Sequence, residues 1–194
     1  MDVASLVLQG RSLRLESLEA RHAADLAAVS EPELFRYLLD RPAAADIASL
    51  GAYIVRQLSQ PDRIAFAIVD AASGRALGTS SCLNIRPAHR GLEIGHTWLA
   101  SAAQGTRVNP EAKFLLLRHA FETLGCLRVE LKTDARNEQS QRAMVKLGCT
   151  REGVLRKHMV LPDGFVRDTV MFSIVDTQWP QVRESLILRL GYTP

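Results

Sequence analysis

Trp98-Leu99-Ala100-Ser101-Ala102-Ala103-Gln104-Gly105-Thr106-Arg107-Val108-Asn109-Pro110-Glu111-Ala112 changes character halfway along. Leading into it, Leu92 to Leu99 alternates at period two and predicts a strand. Leu92, Ile94, His96 and Trp98 fall on one face, and Glu93, Gly95, Thr97 and Leu99 on the other. Asn109-Pro110-Glu111-Ala112 predicts a helix start, with Asn as cap, Pro in the first turn and Glu at the positive end of the helix dipole. Between them lies a loop containing Gly105. A strand that runs through such a loop into a helix N-terminus aims free main-chain N–H groups outward, a cradle suited to a pyrophosphate. An ordinary strand-to-helix connection has the same outline, and no G-K-[ST] follows, which argues against a P-loop.

Working toward the N-terminus, Arg86 to Gly91 is a turn, Ala76 to Ile85 a strand, Ala72-Ser73-Gly74-Arg75 a turn and Ile64 to Asp70 a compact apolar strand. Asp46 opens a helix with Ile47, Leu50, Ile54, Val55 and Leu58 at helical spacing, closed by Gln60-Pro61-Asp62. His22 to Val29 predicts a short amphipathic helix, Ser12 to Leu18 a first strand, and Glu31 to Leu39 a further early helix. Toward the C-terminus, the helix from Asn109 stops at Gly125, and Leu127 to Lys132 alternates as a strand. Asn137 opens a helix that ends at Leu147-Gly148. Pro162-Asp163-Gly164 turns a hairpin between Arg156–Leu161 and Phe165–Val175, and Trp179 to Leu190 is a last helix. The sum is an α+β chain with a mixed, mostly antiparallel sheet of six to seven strands flanked by helices. One parallel crossover is required.

The bulk numbers agree with one domain over residues 1–194: no internal repeat or low-complexity tract interrupts the 194 residues. With 47% hydrophobic and 23% charged residues the chain can build its own core without disulfides. Cys82, Cys126 and Cys149 form no C-x-x-C pair, which suits reduced thiols and a cytoplasmic location. Met1-Asp2-Val3-Ala4-Ser5 carries no secretory pattern, and no apolar run reaches membrane-spanning length. The net charge of +3 is spread along the chain with no like-charge block, so nucleic-acid binding ranks last. His22, His89, His96, His119 and His158 show no metal-ligand spacing, and no metal is expected.

The central segment resembles the GCN5-related N-acetyltransferases (GNAT), in particular their RimJ/RimL-like branch. Gly105 matches the first glycine of the Q/R-x-x-G-x-G/A cofactor loop, while Ala102 and Arg107 depart from it. Leu92 to Leu99 is similar to the E-I-G-Y-x-L strand and Glu111-Ala112 to the E-A after the loop. Asn137-Glu138-Gln139-Ser140 with Leu147-Gly148-Cys149 resembles N-x-x-S…L-G-F, and Pro162-Asp163-Gly164 with Asp168 resembles the closing D-G…D hairpin. The likeness covers roughly residues 10 to 185 in order and spacing.

That resemblance implies transfer of acetyl from acetyl-CoA, a cosubstrate, to a primary amine by direct attack. The acceptor would be a protein N-terminal α-amine, a polyamine or a small-molecule amine. Cofactor binding would fall to Trp98, Leu99, Gln104, Gly105, Thr106, Arg107, Val108, Asn109, Asn137 and Ser140. Main-chain donors near Trp98 and Leu99 would meet the pantetheine and the thioester oxygen. Arg107, on a variant loop path, would add a cation near the phosphates. Glu93 is the implied group for assisting removal of the amine's proton, since an alkylammonium has no lone pair to attack with. A tyrosine that relatives use to protonate the thiolate is replaced by Met144, which cannot donate, and Ser140 is the implied substitute. The acceptor surface would come from Glu31–Leu39, Asp46–Leu58 and the final hairpin. The resemblance also admits a homodimer. The departures at Ala102, Arg107 and Met144 favour a rival, a catalytically silent acyl-CoA-binding module.

Overall fold

The computed structural model describes residues 6–192; Met1–Ser5, read above as carrying no leader, lies outside them. Strands β1 (Val7–Gln9) and β2 (Leu13–Ser17) precede helices α1 (Ala23–Val29) and α2 (Ile47–Leu58). Then come β3 (Ile64–Asp70), β4 (Ala76–Arg86), β5 (Gly91–Leu99), α3 (Val108–Arg118), β6 (Arg128–Asp134) and α4 (Glu138–Leu147). β7 (Thr150–Val160), β8 (Val166–Val175) and α5 (Trp179–Leu190) close the chain. The eight strands form one sheet in the order β1-β2-β3-β4-β5-β6-β8-β7. Every neighbouring pair is antiparallel except β5 and β6. The parallel join falls where the strand–helix–strand pattern requires it, because a same-direction return needs the intervening α3 crossover.

Period-two alternation sends side chains to two separate cores. Phe66 and Ile68 of β3 pack with Leu92, Ile94, Val129, Leu131 and Phe172 under α3 and α5. Ala65, Ala67 and Val69 pack on the other face with Leu26, Leu50, Tyr53 and Ile54 of α1 and α2. Local capping sets several boundaries. The Asp46 carboxylate accepts from Ser49 N at 2.8 Å, and the Asn137 side chain accepts from Ser140 N at 3.0 Å.

Five sequence expectations are corrected. The sheet has an eighth strand, β1, whose three residues pair with β2 and are too few to show periodicity. Glu31–Leu39 is not a helix; it holds only a 3₁₀ turn at Pro32–Phe35. β7 begins at Thr150 rather than Arg156. Helix α3 starts at Val108 behind Arg107, so Asn109 lies inside the first turn and is not its cap. The reason is Thr106, whose hydroxyl donates to Ala103 O at 2.6 Å and accepts from Val108 N at 3.2 Å, so that winding begins earlier. The fifth concerns β5. Thr79 faces Trp98 but Ser81 faces Gly95, so β5 carries one extra residue, a bulge with His96 at φ 51°. Beyond it the faces exchange: Leu99 joins the core of Leu92 and Ile94, and Trp98 joins the α1/α2 core.

Candidate acetyl-transfer site

β5 pairs with β6 only through Gly91, Leu92 and Glu93 against Arg128, Val129 and Glu130. From Ile94 onward the two parallel strands part, and a groove opens between their C-terminal halves. The N-terminus of α3 stands at the end of β5 and that of α4 follows the end of β6, so both positive helix ends flank the opening. The bulge at His96 helps to drive the parting, since an extra residue bends and twists its strand away from the old pairing line. Gln104 spans the mouth: its Nε2 donates to Leu99 O at 3.1 Å, and its Oε1 accepts from Gln139 Nε2 at 3.0 Å.

The loop ahead of α3 has the character of an anion cradle. Gly105 sits at φ 72°, a left-handed conformation that a Cβ would disfavour, with open space where that Cβ would be. Among the described residues, the main-chain N–H groups of Gly105, Arg107 and Asn109 donate to no protein acceptor. These are the orphan donors expected of a helix start. Arg107 itself is unstrained at φ −75°. Its side chain is turned away and donates through Nη2 to Leu190 O at the end of α5. The expected Arg107 cation beside the phosphates is therefore corrected: the guanidinium satisfies a helix C-terminus, and only its main-chain amide remains for the loop.

Glu93 lies on the last paired rung, just where the strands separate, and is 2% exposed. Its Oε2 accepts from Lys132 Nζ at 2.8 Å and from Asn84 Nδ2 at 2.7 Å. A Cβ at Gly95 would come within 2.8 Å of Glu93 Oε1, so the glycine makes room for this carboxylate. Ser140 is half-buried in the first turn of α4, and its hydroxyl has no partner among the described residues. Asn137 has committed its side-chain oxygen to capping that turn. Met144 is packed against the larger core. Glu93 thus stands on β5 where the strands part, Ser140 stands on α4, which follows β6, and Gln104 to Asn109 follow the end of β5.

Sequence reasoning passed over several polar groups here. Lys132 was visible only as one polar position of an alternating strand, and Asn84 carried no signal; each is identified by its contact with Glu93. His96 stacks on Tyr53 with Nδ1 3.1 Å from its hydroxyl. Burial pulls its pKa down to about 4, and its Nε2 is buried without a partner. Arg136 pairs with Asp134 at 2.7 Å and lies over the Phe165 ring at 3.4 Å and the Tyr37 ring at 5.7 Å. It thereby ties the α1–α2 connection to the β7–β8 hairpin along one wall of the same sheet face. Another concavity, lined by Gln9, Gly10, Arg11, Leu115, Arg118 and Tyr192, holds none of the predicted site residues.

Comparison with known proteins bears on this geometry. The Acetyltransferase (GNAT) domain family matches residues 12–150. The chain is similar to a solved "putative acetyltransferase" of T. thermophilus, at 41% identity and TM-score 0.91, covering 98% of this chain and 100% of the other. It is also similar to a GCN5-related N-acetyltransferase from Brucella melitensis, at 31% identity and TM-score 0.87, covering 94% and 84%. The "Putative ribosomal N-acetyltransferase YdaF" of Bacillus subtilis (strain 168) is 26% identical over 174 residues, 85% of this chain and 90% of the relative. The chain therefore belongs to the GNAT family and is an N-acetyltransferase of that fold.

Proposed function

We propose that this chain, as one domain over residues 1–194, moves acetyl from acetyl-CoA to a primary amine by direct attack in a ternary complex. The observation that carries the reading is the separation of β5 from β6 directly after Glu93, beside a loop with unspent amides. The amides of Gly105, Arg107 and Asn109 would face the diphosphate, with Thr106 and Val108 shaping the turn. The parted edge of β5 near Trp98 and Leu99 would offer main-chain donors to the pantetheine and the thioester oxygen. Gln104 would exchange its bond to Gln139 for the cosubstrate, and Asn137 would hold Ser140 at the groove.

The chemistry needs two proton movements. Glu93, directly or through a water, takes the proton that the amine must lose as its nitrogen bonds to the acetyl carbon. The carbon–sulfur bond breaks, and the departing thiolate takes a proton from the Ser140 hydroxyl or from solvent. The acceptor would approach over the face bearing Glu93, Lys132 and Arg136, bounded by the hairpin and the α1–α2 connection. The ribosomal name of the Bacillus relative puts protein α-amines first among acceptors, with polyamines and small amines behind. The three buried free cysteines suit a reducing, cytoplasmic setting.

Calorimetry with acetyl-CoA, followed by thiol release over a panel of amines, tests the reading. Micromolar binding and amine-dependent thiol release are expected, and no heat at millimolar acetyl-CoA would overturn it. Binding without release for any amine would select the silent acyl-CoA-binding module, which rests on the departures at Ala102, Arg107 and Met144.

A further inference from the structure

The face that carries Glu93 holds several charged side chains. Lys132 is paired with Glu93 and Arg136 with Asp134. Arg167 of β8 is a further cation on this face, and a buried one. It is 4% exposed, and among the described residues it makes no ion pair. Its Nε donates to Thr169 Oγ1 at 3.0 Å, and its two terminal nitrogens donate to no protein group among the described residues. Thr169 is opposite Asp134 in the β6–β8 register, so that bond folds the guanidinium back toward the row Asp134, Lys132, Glu93. Asp134 and Glu93 both lie within electrostatic reach of it. The residue is largely buried, yet its terminal nitrogens are not among the sealed polar atoms, so they stay open to a partner from solvent, and a guanidinium held in this way is well matched by a carboxylate or a phosphate.

An open concavity lies on the neighbouring strand. Leu155 of β7 faces Thr169 and Met159 faces Arg167, so four steps of β7 answer two of β8 and the chain between bulges out. Lys157 holds the bulge at φ 50°, with its N–H donating to Asp168 Oδ1 at 2.7 Å. Val154 to His158 line an open concavity of about 750 Å³, ample for an amino acid. His158 lies within electrostatic reach of Lys132, Arg167 and Glu93, which places that concavity on the same polar face.

We propose that Arg167 is the specificity determinant for an anionic group on the acceptor, so that the preferred substrate is a primary amine with a carboxylate a few atoms from its nitrogen. The inference rests on the acetyltransferase reading above. The amine is delivered to Glu93 while the carboxylate takes the two unspent guanidinium donors. Two sources offer that chemistry: a free amino acid, through its α-carboxylate, and a peptide N-terminus with an acidic second residue.

Thiol release from acetyl-CoA is measured with alanine against alaninamide and with Ser-Asp-amide against Ser-Asn-amide. The wild-type enzyme and the Arg167→Gln and Arg167→Lys variants are compared, with melting curves on each. In at least one pair the carboxylate form should exceed its neutral twin by roughly ten- to a hundredfold in kcat/KM, the worth of one charge-assisted hydrogen-bonded contact. Arg167→Gln should erase the preference without moving the KM for acetyl-CoA, and Arg167→Lys should restore part of it. The pair that responds identifies the source. Equal rates within both pairs, or a preference that survives Arg167→Gln, overturns the assignment and leaves acetyl transfer standing. Bound acetyl-CoA with no release for any of the four overturns acetyl transfer to these amines and the inference with it. Should Arg167→Gln fail to fold, the wild-type and Arg167→Lys pair ratios decide alone.

Discussion

Lys113 supplies a quantitative test of how this fold tolerates a buried charge. It lies on α3 facing the sheet, 8% exposed, with no carboxylate among its described partners. Its Nζ donates to Thr97 Oγ1 at 2.7 Å and to Ser80 Oγ at 3.4 Å. Burial pulls its pKa from 10.5 down to about 8. At 1.36 kcal/mol per unit, that shift corresponds to about 3 kcal/mol of destabilisation below pH 8. Lys113→Met removes it and gives up the two hydroxyl contacts, which together offset about 1–2 kcal/mol. Ser80 and Thr97 stay satisfied by their own 2.7 Å bond. The net expectation is a gain of about 1–2 kcal/mol at pH 7, or a rise in Tm of about 2–8 °C for a domain of this size. The sign follows from proton counting. Between about pH 8 and 10.5 the unfolded chain holds a proton on Lys113 that the folded chain has lost, so wild-type stability from this group climbs with pH. The advantage of Lys113→Met should therefore be largest below pH 8 and shrink toward 10.5. Cys82 and Cys149, pushed up to about 12 by burial, act in the opposite direction above about pH 9 and are themselves held lower by Lys113, so the difference between the two proteins is read most cleanly up to pH 9. Urea titrations at pH 7, 8 and 9 measure it. A loss of 2 kcal/mol or more at pH 7, or a difference that stays flat to pH 9, refutes the reasoning.

Two further outcomes follow from the site. Glu93→Gln should lower turnover by about 10²–10⁴-fold, most at lower pH, with little change in acetyl-CoA affinity. A pH–rate profile identical to wild type removes Glu93 from proton transfer. Gly105→Ala places a Cβ at φ 72° in open space, so the cost is backbone strain of about 1–2 kcal/mol rather than a clash. The loop should relax from that conformation and acetyl-CoA should bind at least several-fold more weakly; calorimetry showing unchanged affinity would mean that the Gly105 conformation does not matter to the cradle.

Much of this architecture was legible locally. β3 runs over Ile64–Asp70 and α5 over Trp179–Leu190, at the limits that periodicity and turn residues predict. Asp46 and Asn137 cap their helices as their residue types suggest. The parallel crossover was legible too, because strand, loop, helix and strand follow one another within Leu92–Lys132. The candidate site was readable in part. Glu93, Gly105 and Ser140 stand out by motif, whereas the path of the Arg107 side chain does not, because it answers to Leu190, 83 residues away. Arg167 gave no signal at all; its neighbours in the chain do not reveal that its guanidinium lacks a carboxylate.

Read alone, the sequence determines what depends on residues three to five apart: which segments coil, which extend, where caps and turns lie, and the acetyltransferase family that their order resembles. Tertiary structure decides the rest. A bulge at His96 exchanges the faces of β5, and β5 parts from β6 after Glu93. Lys132 closes on Glu93 from 39 residues away. Each of these depends on register between strands, and register is set by which packed sheet buries the most apolar surface, a property of the whole chain rather than of any window in it.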